Sequence, residues 1–185
     1  IKRLQFDMKE SYINYWRNSL GDVETEEGRL YLYRKIKTDF RMEPYLAQIS
    51  KFKLRRSVTA FRISAHKLEI ETGRYVRNLN TQGHTSYIKR EDRFCTLCYD
   101  MSKIKVTGDE QHAILHCSYY FDARKKLLEQ IESFCKNFKH LDDRDKIFYI
   151  LTCENECVIK VGKFLNLIMS SQRPNFSKIW KILIG

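Results

Sequence analysis

The chain has 185 residues, 43% hydrophobic and 31% charged, with only 7 Gly and 2 Pro and a formal net charge of +11. So little Gly and Pro beside 13% aromatics excludes a disordered, collagenous or linker-rich chain, and the length suffices for one domain or two small lobes with a real core. No apolar run reaches the ~18 residues of a membrane span and no secretory segment lies near Ile1, so the chain reads as intracellular, nuclear or cytoplasmic, with no membrane partner, and as processed or cut from a longer protein.

The periodicity predicts helices nearly throughout. Leu4, Met8, Tyr12, Tyr15, Trp16 and Leu20 recur at three- and four-residue steps, one face of an amphipathic helix that Gly21 is placed to end. Leu32, Ile36 and Phe40 mark a second helix, and Pro44 opens a third with Tyr45, Leu46 and Ile49. Leu54, Val58, Phe61, Ala65 and Leu68 form a 4-3-4-3 stripe. Residues 73–93 lose the period and read as a loop or extended linker, with short extended pieces near 74–76 and 103–107. From Ser118, a suitable N-cap, Tyr120, Leu127, Ile131, Phe134 and Phe138 predict a long helix. Asp142–Leu151 predicts a shorter one with acidic residues at its start, and Val158, Val161, Leu165 and Ile168 another. Pro174 opens a last short helix with Phe176, Ile179, Trp180 and Leu183. The expected fold is mainly α, with helical bundle-like lobes around a small zinc-knuckle insertion. Its parts are an N-terminal helical region with a basic helix (1–72), a basic linker (73–93), the knuckle (94–117) and a C-terminal helical region (118–185).

The charge is concentrated. Residues 51–93 hold 11 basic and 4 acidic residues, which is +7 of the +11. A phosphate backbone is the commonest partner of such a local excess. Lys51, Arg55, Thr59, Arg62 and His66 form a second stripe on the helix of Leu54 and Val58, flanked by Arg56 and Lys67. Arg74, Arg77, Lys89, Arg90 and Arg93 extend the charge, and Tyr75 and Tyr87 lie among them, placed to stack on unpaired bases.

Six cysteines are present. Cys95 and Cys98 form a C-x2-C pair, followed by His112 and Cys117 in the pattern C-x2-C-x13-H-x4-C. Three thiolates and one imidazole make a closed tetrahedral Zn2+ site, structural rather than catalytic because no position is left for a water. His116 competes with His112 for the fourth place, and the H-x4-C step favours His112. Arg93, Lys103 and Lys105 are the cations expected to support the anionic centre. Cys135 reads as a small core residue, and Cys153 and Cys157, four apart, as bystanders.

One run, Arg62-x-Ser64-x-His66-x-Leu68-x-Ile70-Glu71-x-Gly73-Arg74-Tyr75, precedes the cysteines. After it come Arg93-x-Cys95-x-x-Cys98, Asp109-Glu110-x-His112-x4-Cys117, Tyr119/Tyr120 and Arg124. This order resembles the zinc-binding segment beyond the reverse transcriptase core of LINE-type non-LTR retrotransposon polyproteins of animals, or a domesticated copy of one, best over residues 54–128. The resemblance implies a region that helps hold element RNA or target DNA beside the rest of the parent polyprotein, with Cys95, Cys98, His112 and Cys117 at the metal positions. The polymerase itself is missing, since Tyr99-Asp100 continues as Met101-Ser102 and no Tyr-x-Asp-Asp run occurs. No endonuclease carboxylate set is recognisable, so no enzyme is expected here. A metal-clipped protein-interaction scaffold is the alternative reading, and a hydrolase module a third.

Overall fold

The computed structural model describes residues 2–21, 30–74, 77–79, 85–154 and 156–171. The order is α1 (Lys2–Leu20), α2 (Tyr31–Ile36), α3 (Pro44–Gln48), α4 (Phe52–Arg62), the single turn α5 (Glu69–Thr72), β1 (Arg77–Leu79), β2 (Thr85–Tyr87), α6 (Thr96–Ser102), α7 (Phe121–Phe134), α8 (Asp143–Thr152) and α9 (Cys157–Ser171). The fold is mainly α. β1 and β2 form one antiparallel hairpin inside the expected linker, with Arg77 opposite Tyr87.

Local chemistry sets several boundaries. Gly21 takes φ +77° and ends α1. Pro44 occupies the first turn of α3, where its missing N–H costs nothing. The Asp142 side chain accepts a hydrogen bond from Asp145 N at 2.8 Å and caps α8.

One hydrophobic cluster includes Leu32, Phe61, Ile114, Ile131 and Ile168 and takes in Cys95, Cys98 and Cys117. Residues from Leu32 to Ile70 and from Tyr120 to Ile168 therefore share a core, built where α4 packs on α9. Gly162 of α9 permits the close crossing, because a Cβ there would meet Leu54 Cβ at 3.2 Å.

Some expectations are corrected. α4 stops at Arg62, where Ala65 N turns back to Ala60 O (2.7 Å) and Ser64 takes φ +49°. Ala65 and Leu68 thus lie beyond it, although Leu68 is still buried. Phe40 lies outside α2 and meets the rings of Tyr12 and Trp16 edge-on, each at 5.4 Å. Phe138 lies beyond α7 yet is buried, while Phe134 is exposed. The stripe of α1 is mostly unpacked: Leu4, Met8, Tyr12 and Tyr15 are exposed and Ile13 is buried. The helix expected from Pro174 lies outside the described residues. No described helix is long and apolar enough to cross a membrane.

Candidate metal centre

Residues 93–95 run antiparallel to 106–108. Cys95 N donates to Val106 O at 2.7 Å, Gly108 N donates to Arg93 O at 2.8 Å, and Phe94 and Thr107 form a bridge between them. This short ladder delivers Cys95 to the start of α6. Cys95 is the N-cap residue and Cys98 lies in the first turn, so a helix start presents the C-x2-C pair.

The other two ligands come from a π turn over His112–His116. Asp109 starts this segment by accepting from His112 N at 2.9 Å. Cys117 N then closes onto His112 O at 2.7 Å. In regular α winding, residues five apart diverge by about 140°. An i to i+5 turn returns them to one side. The H-x4-C interval is thus converted into one face.

The four ligand atoms of Cys95, Cys98, His112 and Cys117 lie within 4.8 Å of one another, and all four residues are buried. Cys98 Sγ is 3.6 Å from Cys117 Sγ and 3.3 Å from His112 Nε2, and Cys95 Sγ is 3.9 Å from Cys117 Sγ. A tetrahedral zinc ion requires sulfurs about 3.8 Å apart and sulfur to nitrogen about 3.6 Å. The donors fit one ion of that size. Among the described residues this is the one such group of His, Cys, Asp or Glu. His116 points elsewhere, its Nε2 2.6 Å from Asp143 Oδ2, so the structure selects His112. Hydrogen bonding from Cys95 holds the Cys117 thiol well below its ordinary range, and the same bond raises Cys95. Three thiolates so close together need a cation among them.

Three supports of this centre had no role assigned from the sequence, although Glu110 and Arg124 stand in its motif. Glu69 of α5 accepts from Thr96 N at 2.9 Å and Thr96 Oγ1 at 2.7 Å, holding the first residue of α6. Burial pushes its carboxyl above the usual range, against the pull of those hydrogen bonds. Glu110 Oε1 meets Ser64 Oγ at 2.9 Å and His66 Nε2 at 2.8 Å, pinning the start of the π turn. Serine and histidine both bond the same carboxylate oxygen, which anchors Glu110 between them. Arg124 donates to Cys117 O at 2.7 Å and its charge acts on the Cys117 and Cys98 sulfurs. The cations expected there go elsewhere. Arg93 donates to Ile88 O and Ile70 O (2.9 and 3.1 Å), while Lys103 and Lys105 sit over the rings of Tyr99 and Phe94.

The proposed basic stripe is corrected at two positions. Arg62 lies one turn above Val58, on the buried side, where its Nη2 is 2.7 Å from Glu43 Oε2 and its guanidinium covers the Tyr45 ring. His66 lies past the end of α4, fully buried against Phe61 and Glu110. Neither faces solvent. Lys51 is exposed, Arg55 is half-buried, and exposed Lys53 and Arg56 complete the outer face of α4. Lys89 is exposed, Arg90 Nη2 lies 3.7 Å from Asp109 Oδ2, and Arg74 Nε is 3.0 Å from Glu71 Oε1. Arg77 stands in β1, and Tyr75 lies outside the described residues.

The remaining cysteines stay apart from the centre. Burial pushes the Cys153 thiol up to about 12 and also raises Cys157, so both rest as neutral thiols. Cys135 caps the C-terminus of α7, half-buried.

Compared with family models, curated proteins and solved structures, the chain matches none.

Proposed function

We propose that this chain is a non-catalytic nucleic-acid-binding region, braced by one structural Zn2+, of the kind found beyond the polymerase in LINE-type reverse transcriptase polyproteins. The observation that carries this reading is the buried set of three sulfurs and one imidazole nitrogen within 4.8 Å. Cys95, Cys98, His112 and Cys117 fill a tetrahedral shell, which suits a clip rather than a reaction centre. The +7 carried by residues 51–93, directly before the clip, supports a phosphate-bearing partner. A zinc ion held by these four residues would cross-link the α6 start to the π turn, and the protein's own lysines and arginines make the contacts.

The test is metal content of the purified chain, followed by gel shifts with structured RNA, single-stranded DNA and duplex at two salt levels. Stoichiometric zinc and binding that weakens steeply with salt are expected. A zinc-free protein that binds none of the three overturns the reading. A protein-interaction scaffold remains the second reading because Leu4, Met8, Tyr12 and Tyr15 expose an apolar face on α1.

A further inference from the structure

Beside the metal centre a cleft of about 1110 Å³ opens between two unlike walls. One wall belongs to α2 and α8. There the Arg144 guanidinium lies over two aromatic rings, 5.5 Å from the centroid of Tyr31 and 5.8 Å from that of Phe148. The opposite wall holds Arg74, Arg90 and Arg93. Ile70 and Ile147 add apolar lining.

We infer that this cleft takes one unstacked nucleotide of a single nucleic-acid strand. The base lies against the Tyr31–Arg144–Phe148 cluster and the phosphate lies towards Arg74 and Arg90. This inference rests on the nucleic-acid reading above and narrows it to single strands.

Three features carry it. First, the volume lies just above the usual range of small-ligand sites and has room for one nucleotide, whereas a base still paired inside a duplex is not free to enter such a pocket. Second, aromatic rings and guanidinium planes are the surfaces on which unpaired bases stack, and any base offers them a face. Third, the lining carboxylates are largely engaged within the protein. Glu110 is held by Ser64 and His66, Glu71 by Arg74, and Asp109 accepts from His112 N. Each guanidinium has five N–H donors. Arg74 is held to Glu71 through its Nε, and Arg90 makes a long, mostly exposed pair with Asp109. Arg93 is fixed by two backbone carbonyls and lends rigidity to that wall.

The test is fluorescence polarisation with the full chain, using labelled oligo(dT), labelled oligo(rU) and a short duplex. Arg144→Ala and Phe148→Ala are expected to lower single-strand affinity about tenfold each and duplex affinity less than twofold. Arg90→Ala is expected to reduce the salt slope for single strands by about one. Lys51→Ala, outside the cleft, weakens single strands and duplex alike. Thermal melting of each variant checks the fold, and the exposed Arg144 and Arg90 keep the test valid if Phe148→Ala is destabilised. If Arg144→Ala and Arg90→Ala bind single strands like the wild type while Lys51→Ala does not, the cleft assignment falls and the nucleic-acid reading stands. Binding of duplex alone also overturns the cleft. If the wild type binds no nucleic acid at low salt, both readings fall.

Discussion

The carboxylate of Glu69 accepts two hydrogen bonds from Thr96, at 2.9 Å from the backbone N and 2.7 Å from Oγ1, and so fixes the residue between Cys95 and the rest of α6. Glu69 touches the backbone that carries a ligand rather than the ligand set itself. Glu69→Ala takes the acceptor from a part-buried N–H and hydroxyl, a loss of about 1–3 kcal/mol. It is expected to weaken Zn2+ binding about 10- to 100-fold, read by competition with a chromogenic chelator. Unchanged affinity would remove Glu69 from the centre.

Gly108 presses on the same carboxylate. A Cβ there would lie 2.4 Å from Glu69 Oε2 and 3.1 Å from Cys95 Cα and N. Gly108→Ala is therefore expected to destabilise the chain by about 1–3 kcal/mol and to loosen metal binding in parallel. Chemical denaturation with and without chelator checks both. The difference between the two conditions shrinks if the clip has been disturbed.

Glu110 predicts a pH dependence. Burial raises its carboxyl pKa, but the hydrogen bond and charge of His66, with the Ser64 hydrogen bond, outweigh burial and hold the group below its ordinary 4.5. Just below that value the unfolded chain binds more protons than the folded one, so stability rises with pH across the window. The contribution is complete above about 4.5 and is lost as the pH falls through the folded value. Glu110→Gln is expected to cost about 1–3 kcal/mol near neutrality and progressively less on acidification. Denaturation curves of both proteins over a pH series test this, and a gap independent of pH would contradict it.

Arg62 and Lys51, assigned together by spacing, are expected to part in experiment. Arg62→Ala removes Glu43's 2.7 Å partner in a largely buried setting and leaves it Lys37 at 3.4 Å, which costs about 1–3 kcal/mol. Lys51→Ala leaves the melting temperature nearly unchanged and lowers the salt slope of nucleic-acid binding by about one. Melting curves and a salt titration separate the two. A negligible stability loss in both would restore the single-face reading.

Much of the helical order was legible from local signals. Pro44 and Asp142 sit where caps and starts must be, and the stripe of Val158, Val161, Leu165 and Ile168 is the buried face of α9. The metal set was legible too, because cysteine and histidine at ligand spacing are rare without a shared partner. What escaped depends on residues far apart in the chain. Ser64 and Glu110 are separated by 46 positions, and Glu69 and Thr96 by 27. The burial of Arg62 follows from packing on both sides of α4, where a charge at the edge of the apolar arc is turned inward to Glu43 and Leu151. A helical stripe alone cannot tell a solvated charge from a paired one.

The π turn makes the interval between the last two ligands a measure of winding. Removal of half-buried Leu115 leaves His112 and the final cysteine four apart, and ordinary α winding then returns them to one side. An extra residue puts them six apart, where α winding turns them about 120° from each other and the 3-10 winding that realigns them sets them about 12 Å apart along the axis. Length change is therefore expected to be tolerated in one direction only: the four donors can still share one ion when the segment shortens by one, and cannot when it grows.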